Sequence, residues 1–330
     1  MKAKPLFLLA TFLPLIVFSS CEEKTEPADD IPDLVAGETI ASFEVAKEDT
    51  LRSIPVEYIN AASNNLHIAY QHTSHGTHVS YGMFGLQDFK DGDDVLFGIT
   101  NNNPQANKLD FRDYALAGYA AEGIDASDLS IDETAFIQAT RNYLDDSENA
   151  EINVVMWSWC SIAGHNVTEN YLPGMQSLID EYGEGGSKIG SGSGKRANPV
   201  TFIFMTGHAE ANNNVGQGSP MNQADTIIGY CNAKKYFCLD YYGIDTHDMD
   251  DNYWDDAGDN GDSEDYGGNF YIDWQNAHIE GAGYYYNKDA PEGGTTFGAH
   301  NTQHITANRK AYAMWWILAR IAGWDGETTN

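Results

Sequence analysis

Apolar residues along this chain fall into two periods, and four short apolar runs end in the same way. Ile68–Tyr70 runs straight into Gln71, His72, Thr73, Ser74, His75 and Gly76. Ile152–Trp157 ends in Trp157, Ser158, Trp159 and Cys160; Val200–Met205 ends in Thr206, Gly207 and His208; Tyr236–Leu239 leads to Asp240 and Asp245. Runs of this length bounded by polar residues read as buried strands. Between them, Asp132–Leu144 carries Ala135, Phe136, Ala139 and Tyr143 at helical spacing, Tyr171–Tyr182 carries Leu172, Met175, Leu178 and Ile179, and Asn222–Ala233 completes a third helical stretch. Strands alternating with helices predict an α/β domain, a three-layer α/β/α arrangement with a mainly parallel, flavodoxin-like sheet. The four polar strand ends then share the carboxyl rim, where open α/β sheets bind ligands. The chain closes with an amphipathic helix, in which Ala313, Trp316, Ile317, Arg320 and Ile321 fall at near-helical spacing and Gly323 suits the stop.

Other stretches are less regular. Residues 40–65 read as a lead-in with little pattern. The Gly- and aromatic-rich HVSYGMFGLQDF reads as a loop lining the site, and DDVLFGI as a short strand, while Asp110 to Ala121 is mixed. Asp245 to Asp265 is dense in Asp and Glu and reads as an acidic insertion after the last strand.

Charge narrows the partners. Eighteen basic against 49 acidic residues give −31, a surface that repels nucleic acid and anionic membranes. At the start, Lys2 and Lys4 precede an apolar run from Pro5 to Phe18, then Ser19, Ser20 and Cys21, which is the layout of an export signal. Small residues before a cysteine resemble the lipobox of bacterial lipoproteins. That resemblance implies cleavage before Cys21, lipidation of its thiol, and anchorage to the outer membrane or cell surface through lipid alone. Residues 1–21 would be signal, residues 22–40 an acidic tether, and residues 41–326 one α/β domain. Cys231 and Cys238 are close enough in sequence to pair, leaving Cys160 free.

The rim chemistry suggests hydrolysis. A serine needs a base to take its proton, and histidine is the usual base near neutral pH. Ser74 ends the first of these runs, and His304 opens the closing helix with Asn301, Asn308 and Tyr312 around it. The pattern resembles the SGNH (GDSL-like) hydrolases. Ser74 stands where that family has its nucleophile, within His72-Thr73-Ser74, and Asn301-Thr302-Gln303-His304 stands in the place of its Asp-x-x-His pair. The resemblance implies Ser74 as nucleophile, His304 as base and Asn301 as its orienting partner, acting on an ester, an acyl group on a carbohydrate or a small ester, without a cofactor. Asp240, Asp245 or Glu210 could supply a carboxylate instead. His72, His75, Gly207, His208 and Asn212 are candidates for the oxyanion or the substrate, and Trp157 and Trp159 for stacking on sugar rings.

Two metal readings stand beside this. His72, His75 and His78 recur every three residues and His300 and His304 every four, so that with His208 they could hold catalytic zinc in a metal-dependent hydrolase. The acidic insertion offers Asp245, Asp248, Asp250 and Asp255 as ligands for structural calcium, without EF-hand spacing. A glycan-binding lipoprotein without turnover on a hydrolase fold is the non-enzymatic alternative.

Overall fold

The structure, a computed structural model, describes residues 39–285 and 303–326. Seven strands form one parallel sheet: β1 (Ile40–Ala41), β2 (His67–Gln71), β3 (Ile99–Thr100), β4 (Leu109–Asp113), β5 (Val154–Trp157), β6 (Thr201–Met205) and β7 (Cys238–Leu239). Their spatial order is β1-β7-β6-β5-β2-β4-β3, every neighbouring pair parallel. With the two edge strands β1 and β3 set aside, the order is the flavodoxin-like one: the chain steps outward from β2 to β4, then returns past β2 to β5. The reversal lies between β2 and β5. Their register pairs Ile68 with Val154 and Gln71 with Trp157, so the two strands end level and their exits leave side by side.

Strand side chains alternate between two buried layers. Ile68, Tyr70, Val154, Met156, Ile203 and Met205 face one core, roofed by α1 (Glu48–Ser53), α2 (Val56–Asn65), α3 (Thr77–Leu86) and α10 (His304–Ile321). Ala69, Val155, Trp157, Phe202 and Phe204 face the other, covered by α5 (Ala135–Asp145), α6 (Leu172–Tyr182) and α7 (Pro220–Lys234). The remaining helices are α4 (Asp93–Leu96), α8 (Tyr241–Thr246) and α9 (Phe270–Ala277). A hairpin of β8 (Asp262–Ser263) and β9 (Gly268–Asn269) closes the acidic segment.

Four regions differ from their sequence reading. HVSYGMFGLQDF is mostly helix α3, not a loop, and its glycine has a packing reason: a Cβ on Gly82 would lie 2.1 Å from the Ala307 carbonyl oxygen, so the residue lets α3 and α10 approach backbone to backbone. DDVLFGI is helix α4 followed by β3. Asp110 to Ala121 begins with strand β4, whose alternation is disguised by a buried ion pair: Arg112 donates to Asp110 Oδ2 at 3.0 Å and also bonds Glu151, while Leu109 and Phe111 fill the core. The lead-in holds β1, α1 and α2, with Leu51, Ile54, Ile59, Ala62 and Leu66 buried.

The closing helix is buried almost all round rather than on one stripe. Its polar residues find partners inside. Lys310 meets Asp245 Oδ1 at 2.6 Å, Arg309 donates to the carbonyls of Ile244 and His247, and Asn308 exchanges two hydrogen bonds with the Tyr285 backbone. Cys231 and Cys238 are neighbouring thiols in the core, not a disulfide. Among the described residues no helix is long and apolar enough to cross a membrane.

Candidate functional site

The site forms at the switch point, where the exits of β2 and β5 are tied together. Gln71, the last residue of β2, accepts from the Leu116 and Ala117 amides and donates to the Ser127 carbonyl, pinning the loop after β4. Asp128, buried, joins the two exits: it accepts from Thr73 N, Ser158 Oγ and Cys160 N. Gly76 sits where a Cβ would come within 2.4 Å of both His72 Cβ and Ser158 Oγ, so only glycine lets the loops close this far. Neither Gln71 nor Asp128 was assigned a role from sequence, because a lone amide or carboxylate carries no spacing signal.

Between these anchors Ser74 is half-buried and adopts φ 43°, the left-handed region, on the turn from β2 into α3. A non-glycine residue there carries backbone strain, and strained backbone concentrates at working sites. The Ser74 side chain lies beside the Cys160 thiol. Burial pushes the Cys160 thiol up, so Cys160 stays protonated rather than becoming a thiolate nucleophile.

Two buried histidines lie next to this turn. The rings of His75 and His208 stack with centroids 3.6 Å apart and an interplanar angle of 13°. His75 Nε2 is 3.3 Å from Asp259 Oδ2, and its Nδ1 is 3.6 Å from Cys160 Sγ. His208 Nδ1 lies 2.7 Å from the Ala209 carbonyl oxygen, an acceptor only, which assigns the proton to Nδ1 and leaves Nε2 as a lone pair. Glu210 stands 3.9 Å from that Nε2 and accepts from Ser161 Oγ. Beneath them, Tyr241 donates to the His75 carbonyl at 2.8 Å and meets His78 Nδ1 at 2.7 Å, with Lys310 Nζ 4.0 Å from the Tyr241 ring centroid. Burial, with Lys310 close by, holds His78 well below the ordinary histidine range and therefore neutral.

The residues expected at the rim separate into two groups. Ser74, His75 and His208 converge with Cys160 and Asp259. His72 is fully buried under Tyr114, with Nε2 2.8 Å from Asp113 Oδ1, and so anchors the loop from below. Trp157 and Trp159 are sealed in the core, Trp157 donating to Thr140 Oγ1 and Trp159 packed on Tyr171, which removes them as surfaces for a sugar ring. Gly207 is buried against Ile162, and Asn212 is exposed on a cavity of about 530 Å3 shared with Asp256, Asp262 and Asn269. The buried amide nearby is Asn214, which ties Glu210 N to the Asp255 and Ala257 carbonyls. His304 opens α10, with its ring 5.8 Å from that of Tyr284, and burial lowers it to about 4. Asn301, His300 and Cys21 lie outside the described residues.

The four carboxylates expected to share calcium are dispersed. Asp245 is wholly buried against Lys310 and Ala209 N, and burial raises it to about 6. Asp248 folds its own loop by accepting from Asp250 N, Asn252 N and Trp254 Nε1. Asp255 gathers instead with Asp256 and Asp265, and Asp256 is already met by Ser263 Oγ and the amides of Glu264 and Asp265. Asp259, outside that expected set, brings a carboxylate of the acidic segment to His75. Comparison with protein-family models, with curated proteins and with solved structures found no match to this chain.

Proposed function

We propose that the switch-point crevice hydrolyses an ester by attack of Ser74 on the acyl carbon. The observation that carries this reading is the left-handed backbone of Ser74, φ 43°, at the carboxyl end of the central strand β2. Strain at that point is maintained by anchors on both sides, and it sets one half-buried serine between two strand exits. A strained strand-to-helix turn is how α/β hydrolases expose a nucleophile. His304, whose burial keeps it in the neutral, proton-accepting form at pH 7, is the base that the SGNH resemblance implies, with Asn301 fixing its tautomer. The substrate class, an acyl group on a carbohydrate, and the lipid anchor at Cys21 come from resemblance as well.

A fluorophosphonate probe tests the nucleophile directly. Wild type should label at Ser74, and Ser74→Ala should not. Members of one nucleophile–base unit lose activity non-additively, so Ser74→Ala, His304→Ala and the double variant should each fall by about 10⁴- to 10⁶-fold in acyl-ester turnover. Near-normal turnover by Ser74→Ala overturns the reading.

A further inference from the structure

We propose that His75, His208 and Asp259 bind a divalent transition cation of the zinc class at the carboxyl edge of the sheet. One ligand atom from each lies within 4.8 Å of the other two. Zinc with nitrogen and oxygen ligands at about 2.0–2.2 Å holds neighbouring ligand atoms roughly 3.3–3.6 Å apart. The His75 Nε2 to Asp259 Oδ2 distance is already 3.3 Å, within that range, and His208 offers a nitrogen within 4.8 Å of both. The two imidazoles stack nearly parallel, 3.6 Å apart, so their in-plane lone pairs run side by side, and binding one ion requires one ring to rotate out of the stack.

The ring nitrogens facing away from that point are also provided for. The Nδ1 proton of His208 goes to the Ala209 carbonyl, which frees Nε2 as a donor of electrons. With Nε2 of His75 on a cation, its Nδ1–H faces Cys160 Sγ, a weak acceptor. Metal-bound histidines usually hand their second N–H to a fixed acceptor, and this fixes ring orientation. Both histidines are buried, while the Asp259 side chain is 17 % exposed and is the ligand nearest solvent. Two imidazoles and one carboxylate favour zinc, iron, cobalt or manganese over calcium or magnesium, and three protein ligands leave a position open.

The three ligands come from three places in the chain: the turn before α3, the exit of β6, and the acidic segment before β8. A cation would therefore staple the acidic segment onto the switch point. This inference goes beyond the ester reading and does not depend on it.

The test uses the intact domain, stripped with chelator and titrated with Zn2+, and with Co2+ as a spectroscopic probe. Wild type should bind one equivalent, give the visible absorption of Co2+ in a low-coordinate nitrogen–oxygen site, melt at a higher temperature with metal, and resist protease within residues 247–265. His208→Ala and the near-isosteric Asp259→Asn should each weaken binding by about 100-fold or more, as loss of a direct ligand exceeds the 10- to 100-fold seen for outer partners. Metal-free melting of Asp259→Asn, compared with metal-free wild type, separates lost binding from lost folding. Ser74→Ala should bind metal like wild type, so failure of the nucleophile reading and failure of this one are distinct. No stoichiometric binding by wild type, or unchanged affinity in both ligand variants, overturns the proposal.

Discussion

At Ser74 the backbone does what glycine would do at no steric cost, and that difference can be measured. Ser74→Ala and Ser74→Gly both lose the hydroxyl, but only alanine keeps the left-handed penalty at φ 43°. Ser74→Gly should therefore be the more stable of the two by about 1 kcal/mol in denaturant unfolding, after allowing for the freedom glycine gains in the unfolded chain. Equal stabilities would mean that the turn relaxes. His304 gives a second measurement. Burial lowers it from the ordinary 6.5 to about 4, so between those values the unfolded chain takes up a proton that the folded one refuses. Its contribution is complete above about pH 6.5 and is lost as pH falls toward 4. Asp245, raised to about 6, acts with the opposite sign, stabilising at low pH and losing that effect as pH rises through 6. The quantity to read is thus the difference between wild type and His304→Gln, whose stability should fall less steeply between pH 6.5 and 4; parallel curves would mean that His304 titrates normally. Ser74 and His75 were legible in the sequence because a strand end full of polar side chains is a local signal. Asp259 was not, since its partner lies 184 positions earlier and it is one of many carboxylates in the acidic segment.

Among the elements, α10 decides most. It was legible as a helix from its spacing, but its all-round burial was not, because charged residues such as Arg309 and Lys310 are rarely buried unless paired. The core accepts Arg309 and Lys310 because partners from α8 and the segments after it meet them. The buried Lys310–Asp245 pair illustrates the cost of removing one side. Lys310→Met should destabilise by about 3–5 kcal/mol, because it strands a carboxylate in the interior. Lys310→Met with Asp245→Asn should recover most of that, the amide oxygen still accepting from Ala209 N. A double variant as weak as the single one would assign the loss to packing on Tyr241 instead. Helix α3 was missed for the reason that makes it fit: the glycine that lowers helix propensity is the one that lets α10 touch it.

For the whole molecule, the parallel α/β topology was legible because each long strand is a continuous apolar run, as strands buried on both faces must be. The short or charge-bearing strands β1, β3 and β4 gave no such run. Net charge is the other property of this scale. At −31, the folded chain repels itself, and the repulsion weakens as the screening length shrinks from about 30 Å at 0.01 M salt to about 3 Å at 1 M. The melting temperature should rise across that range in potassium chloride, a salt with no transition cation to fill the histidine site. A flat response would mean that the carboxylates are spaced widely enough to be indifferent to screening.

The position of α10 also sets an order of events in biogenesis. One face of the sheet cannot be covered until residues 303–324 have been added, since α10 lies against α1, α2 and α3 there and fills the space that Gly82 leaves. A nascent chain that ends earlier has its strands and α1, α2 and α3, but lacks the helix that packs against all three. Such a chain leaves apolar surface exposed and remains sticky. Chaperone capture during synthesis, and dye binding by a chain cut before Gln303, should both cease once this last helix is supplied.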